Sequence, residues 1–300
     1  IILSECERVI RTYDQSGPFP MCRVAIGQTD KTYRDPVFMR AMADLAERYG
    51  VMLHTHLHPR EDEIVLCREL HGLEPIDFLD EMGWLGNNTW VAHATNFTPE
   101  IIRRVSNAGT GISHSPSSNM RLSYQTAPIP AMTTAGVKIS IAVDGGASND
   151  TGDYLGELRQ TLLVHRIPGL HPSPFSGVTA TTPYDVLRMG TRGGAEVLNR
   201  NDIGSLEVGK AADIVLYDLN NLGFAGALHD PLAALLLCGE SHIIDTSIIN
   251  GEILIRNGKL TKIREEKIVR GANLAASRLI KRASQVTGID YDSVIYKDIN

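Results

Sequence analysis

The chain has 300 residues, 43% of them hydrophobic and 21% charged, with a formal net charge of -6 at pH 7. This balance fits a soluble protein with one barrel-sized domain and a smaller appendage, and its negative sign argues against a nucleic-acid surface, which is usually basic. No apolar run reaches the about 18 residues that a membrane span requires.

The first residues, Ile1-Ile2-Leu3-Ser4, lack a methionine and any signal-peptide character, and the expectation is that upstream sequence is missing. Cys6, Cys22, Cys67 and Cys238 are scattered with no Cys-x-x-Cys pair, which fits reduced thiols in a cytoplasmic protein. From about residue 20 to 200 one phrase repeats: a short β-rich run, a turn, an amphipathic helix. Strands are expected at 23–27, 51–56, 89–93, 111–114 and 138–144, with helices at 36–49, 62–70, 99–108 and 129–135. Such alternation reads as parallel βα units. Polar residues gather where the strands end, as active-site residues do in a (β/α)8 barrel of the TIM type. A doubly wound sheet also binds at strand ends, but it more often carries a glycine-rich phosphate loop, and none is present. After residue 200 the texture changes. A β-rich run at 214–217 is followed by two more flanking Asn250-Gly251, a strong hairpin signal, and a terminal amphipathic helix is expected at 264–284.

His54, His56 and His58 recur at period two and therefore share one face of a strand. Neutral imidazole is a common ligand for zinc and related metals. A lone histidine is more often packed or solvated than ligating; three in register weigh against that bland explanation without removing it. His93 closes the apolar run Trp90-Val91-Ala92, where a buried histidine bonded to a carbonyl is the ordinary alternative. Asp144 leaves an apolar strand into the small-residue loop Gly145-Gly146-Ala147-Ser148. An aspartate there would ordinarily cap the next helix, but Asp150 is the better capping candidate. Separate bland explanations for three strand ends together are hard to sustain.

The runs Leu53 to Leu57, Val91-Ala92-His93, Ser113 to Leu122 and Val143 to Asp150 resemble the amidohydrolase superfamily. Thr191 to Ala195, Gly204 to Asp213 and Ile249-Asn250-Gly251 extend the likeness to about residue 260. The most similar branch holds guanine, cytosine and 8-oxoguanine deaminases and the s-triazine hydrolases. That resemblance implies a divalent metal, zinc first with iron as the alternative. It makes His56 the metal ligand of the fifth barrel strand, His93 the substrate-polarising histidine of the sixth, and Asp144 the metal-binding, proton-accepting aspartate of the eighth. Ser118, Asn119 and Arg121 would meet the heterocycle from the seventh-strand loop, although a solvent-facing arginine explains Arg121 equally well.

Two departures stand out. The family's first strand carries His-x-His, yet only three strands follow His56 before the barrel ends, so His54-Thr55-His56 belongs to the fifth strand and the first-strand pair is absent. The chain is then about strands four to eight of a barrel (1–200), a β-segment of a composite sandwich (201–260) and a helical extension (261–300). The family's strand-five His-x-x-Glu would also place its glutamate at Pro59; Glu61, three residues after His58, is the candidate substitute for relaying a proton. The implied reaction is hydrolytic deamination of a purine-like base, 8-oxoguanine first, releasing ammonia, with little activity from these residues alone. Pterin or s-triazine hydrolysis, including dechlorination, and an inactive barrel retained for binding or assembly are the alternatives. The implied partners are a small heterocycle and a second copy of the chain, although no residue fixes the oligomeric state.

Overall fold

Residues 1–28, 35–58, 60–167, 181–240 and 243–291 are described by a computed structural model. In chain order its first half runs α1 (Ile2–Tyr13), β1 (Ala25–Gln28), α2 (Pro36–Tyr49), β2 (Met52–Leu57), α3 (Glu61–His71), α4 (Pro75–Glu81), β3 (Thr89–His93), α5 (Pro99–Ala108), β4 (Gly111–His114), α6 (Pro116–Arg121), α7 (Ile129–Thr134) and β5 (Ile139–Ile141). Local chemistry sets the helix limits. Asp35 and Thr98 accept the Phe38 and Ile101 N–H groups ahead of a proline in the first turn, and Gly50 and Gly109 end the same two helices in the left-handed region.

The five strands form one parallel sheet in the order β1-β2-β3-β4-β5, so the chain is of the α/β class. Its core lies between strands and helices: Leu53, Leu57, Val91 and Ile112 from the sheet meet Met39, Met42, Phe78, Ile102 and Val105 from the helices. Trp84 is fully buried there, and its indole N–H donates to Met39 O at 2.9 Å.

Three strand limits differ from the sequence reading, β2 by only one residue at each end (Met52–Leu57 against 51–56). The first strand runs Ala25–Gln28 rather than 23–27, because Asp14 takes the Val24 N–H and the Arg23 side chain and draws the chain off the sheet edge. The last pairs only over Ile139–Ile141 rather than to residue 144. The Ala142 N–H still reaches His114 O at 2.9 Å, after which Asp144 turns to φ 64° and the chain leaves the sheet.

Beyond the sheet come α8 (Tyr154–Val164), α9 (Pro183–Arg188), a π-helical turn (Met189–Gly193), α10 (Gly194–Val197), β6 (Ile214–Tyr217), α11 (Pro231–Cys238), β7 (Ile244–Ile249), β8 (Glu252–Arg256), β9 (Lys259–Leu260) and α12 (Glu265–Thr287). Asp150 does not cap α8. The cap is Asp153, which accepts the Gly156 N–H at 2.9 Å, while Asp150 pairs with Arg121. The strands β6 to β9 form an antiparallel sheet. Ile249 opposes Glu252 across Asn250 (φ 48°) and Gly251 (φ 81°), so both turn residues are left-handed, as a two-residue hairpin requires. The helix α12 is exposed nearly throughout. All four cysteines are free thiols, and among the described residues no helix is long and apolar enough to cross a membrane.

The π-helical turn lies against β5. A Cβ on Gly193 would stand 2.0 Å from the Ile139 carbonyl oxygen, which belongs to a sheet strand and has little room to retreat. Gly193→Ala is therefore expected to destabilise the fold by about 1–3 kcal/mol. Urea unfolding measures this, and an unchanged midpoint would contradict the close approach.

Candidate active site

Alternation along β2 divides its side chains. Leu53, Thr55 and Leu57 are buried on one face, while His54, His56 and His58 stand half-buried on the other. His54 turns toward Trp90, stacking with ring centroids 4.9 Å apart. His56 and His58 gather about His93, with centroid separations of 5.2 and 4.3 Å. His58 also meets the Tyr124 ring at 5.0 Å, and its Nδ1 lies 3.2 Å from Thr95 Oγ1. Burial, together with the neighbouring imidazoles, lowers the pKa of His54 and His58, the latter to about 3, so both rings are neutral near neutral pH.

His93 ends β3 in a left-handed conformation (φ 72°) and is buried. Its Nδ1 lies 2.9 Å from Asn119 Oδ1. An amide oxygen only accepts, so Nδ1 carries the proton and Nε2 presents its lone pair. Burial lowers the pKa of His93, against an opposing contribution from the Asn119 bond.

That lone pair faces Asp144 Oδ2 at 3.9 Å. The Asp144 carboxylate accepts from Ser118 Oγ at 2.6 Å, Ser148 Oγ at 3.0 Å and the Gly145 N–H at 2.8 Å. Burial alone would raise its pKa; the three donors outweigh burial and hold the group below the usual aspartate value. A lone pair and a carboxylate facing one another across 3.9 Å repel unless a proton or a cation lies between them.

The donor chemistry suits a divalent metal: neutral imidazoles and an ionised carboxylate are the ligating forms, and His93 holds its outer N–H on a carbonyl, as ligating histidines do. The number of donors falls short. Among the described residues no three histidine, cysteine or acidic side chains converge as a metal-binding group, so those residues present a partial set.

The remaining expected residues divide: Ser118 and Asn119 join the site through Asp144 and His93, whereas Arg121 and Glu61 do not. Ser118 and Asn119 are buried, and Asn119 Nδ2 has no hydrogen-bond partner among the described residues. Arg121 is exposed and paired with Asp150. Glu61 is exposed in the first turn of α3, and Pro59 lies outside the described residues. The sequence reading passed over Tyr124, which carries no spacing signal, and Glu157, whose signal is a lone acid among the leucines of α8. Glu157 is 2% exposed and accepts from the Ser117 N–H and from Asn149 Nδ2.

An unfolded histidine titrates near about pH 6.5. With folded values depressed, the unfolded chain binds more protons in acid, so the stability contributed by the cluster is complete above about pH 6.5 and is lost as pH falls toward about 3. Urea midpoints should therefore fall between about pH 7 and about pH 4, and His58→Gln should reduce that slope by a fraction of one proton. Identical slopes in the two proteins would contradict the burial of this ring.

The amidohydrolase family pattern matches residues 24–254. The 8-oxoguanine deaminase of Pseudomonas aeruginosa is 40% identical over 93% of this chain, and hydroxydechloroatrazine ethylaminohydrolase of Pseudomonas sp. is 36% identical over 93%. The chain spans 60% and 56% of the length of those two proteins. The solved atrazine chlorohydrolase of Arthrobacter aurescens TC1, complexed with zinc, superposes with a TM-score of 0.84 at 34% identity, over 91% of this chain and 59% of that one. A parallel sheet whose strand ends gather neutral imidazoles and an ionised aspartate, and a likeness running through nearly the whole chain, lead to one statement: this chain belongs to the amidohydrolase family.

Proposed function

We propose that the chain forms part of a metal-dependent aminohydrolase that removes an amino group from a purine-like heterocycle and releases ammonia. The observation that carries this reading is the facing of His93 Nε2 and Asp144 Oδ2 across 3.9 Å beside the His56 ring. His56 and Asp144 would hold the cation, taken as zinc, whose chemistry when bound would be to lower the pKa of water toward about 7. Asp144 accepts a proton from the attacking water, as its lowered pKa permits. His93 would polarise the reaction centre and steady the charge that develops on its heteroatoms, a role that calls for a proton on Nε2.

The buried Asn119 Nδ2, which has no hydrogen-bond partner among the described residues, supports a role as donor to a ring oxygen or nitrogen. Ser118 spends its hydroxyl on Asp144, which suits holding the carboxylate better than touching the heterocycle. The acid that protonates the departing amine is Glu61 in this reading, brought inward from the start of α3 when substrate binds. The relatives' substrates favour 8-oxoguanine first, with pterins and s-triazines as further candidates.

The five-stranded sheet is taken as strands four to eight of a barrel (1–200), followed by a β-segment of a composite sandwich (201–260) and a helical extension (261–300). What supports this is the parallel order of the strands, the third strand after β2 delivering Asp144, and the relatives' greater length. Four scattered free thiols favour a cytoplasmic setting. The test is a panel of guanine, 8-oxoguanine, isoguanine, pterins and triazines scored for ammonia. It compares these 300 residues with a form extended upstream to supply His-x-His. The extended form should turn over one of these compounds, and the 300 residues alone should show little activity. In the extended form Asp144→Asn should lower kcat by about 10²- to 10⁴-fold. An unaffected Asp144→Asn variant would overturn the assignment, and an extended form that releases no ammonia from any compound would favour a binding role.

A further inference from the structure

Glu157 is an acid buried to 2% exposure on α8, and the chemistry assigned above makes no use of it. Its two oxygens reach separate segments. Oε1 accepts the Ser117 N–H at 3.0 Å, and Oε2 accepts Asn149 Nδ2 at 3.2 Å. Ser117 lies in the first turn of α6, immediately before Ser118, which bonds Asp144, and Asn119, which bonds His93. Asn149 Nδ2 also donates to Val143 O at 2.8 Å, one residue before Asp144. One carboxylate therefore ties the start of α6 to the loop that carries Asp144.

We infer that Glu157 is a positioning residue: by bridging the start of α6 to the Asp144 loop it sets the aim of His93, Asn119 and Asp144 on one another. A carboxylate is required because both neighbours are donors. A glutamine offers one oxygen and one NH2 group, so one of its ends would meet a donor with a donor. Asn149 has no easy way to rotate and compensate, since its Oδ1 accepts the Thr151 N–H at 3.2 Å while its Nδ2 holds Val143 O. Burial, helped by nearby Asp144, outweighs the donors and raises the pKa of Glu157; the geometry still needs acceptors on both oxygens. The catalytic consequence rests on the function proposed above, whereas the effect on aim does not.

The experiment separates the two. In the 300-residue chain, ¹⁵N NMR of the His93 ring reads the tautomer, which Asn119 holds as Nδ1–H. Glu157→Gln is expected to move both ring nitrogens toward averaged tautomer values while circular dichroism stays that of the native fold. Asn149→Ala, which leaves the Ser117 arm intact, should shift them the same way by less, and it decides the matter if Glu157→Gln does not fold. In the extended form Glu157→Gln should lower kcat by about 10- to 100-fold, the usual cost of losing a supporting partner, with KM within about twofold. Ring signals unchanged in every variant that folds, with kcat also unchanged, overturn the proposal. Shifted ring signals in a protein that turns over no substrate uphold the positioning role and tell against the proposed reaction alone.

Discussion

Parallel pairing of β2 with β3 sets Leu57 opposite His93 and His56 opposite Ala92, and the chemistry of the site follows from that register. One residue of slip would carry His54, His56 and His58 to the face that now buries Leu53, Thr55 and Leu57. The slip would place three polar rings against the helices and three buried side chains toward the site. Hydrophobic burial on the helical face therefore enforces the placement of imidazoles on the other.

Two opposed effects of burial then divide the roles. On the histidines desolvation dominates and leaves neutral rings with lone pairs to offer. On Asp144 desolvation points toward protonation, yet the carboxyl remains ionised. Three donors explain the reversal: hydrogen bonds to a charged acceptor contribute roughly 1.5–3 kcal/mol each, and together they exceed the penalty at a partly exposed position. The same residues that hold Asp144 in place thus keep it charged.

Much of this was legible in the sequence because it depends on short periods. The alternation 54-56-58, the strand limits 89–93 and 111–114, the helix limits 36–49 and 99–108, and the Asn250-Gly251 hairpin all follow from local pattern and turn chemistry, and all appear in the fold. What the sequence concealed is nonlocal. Asp153 rather than Asp150 caps α8, because Arg121 draws Asp150 away. Nothing in the spacing announces that Tyr124 meets His58 or that Glu157 joins residues 117 and 149, since those contacts arise where elements distant in sequence come together. Glu61 shows the limit from the other side: its spacing from His58 matches the pattern, but its place on an exposed helical turn is set by how α3 leaves the strand.

His93 and Asp144 share one further feature, a left-handed backbone at residues that carry a Cβ; Ala94 follows His93 at φ 52°. Each such residue costs on the order of 1–3 kcal/mol. At these two positions the direction of the functional group is written into the main chain as well as the rotamer, so lengthening the side chain cannot restore a lost reach. Selection for thermal robustness would find relief at these very residues, by glycine or by a return to extended backbone. A glycine there would relieve the backbone strain only by removing the functional group with it.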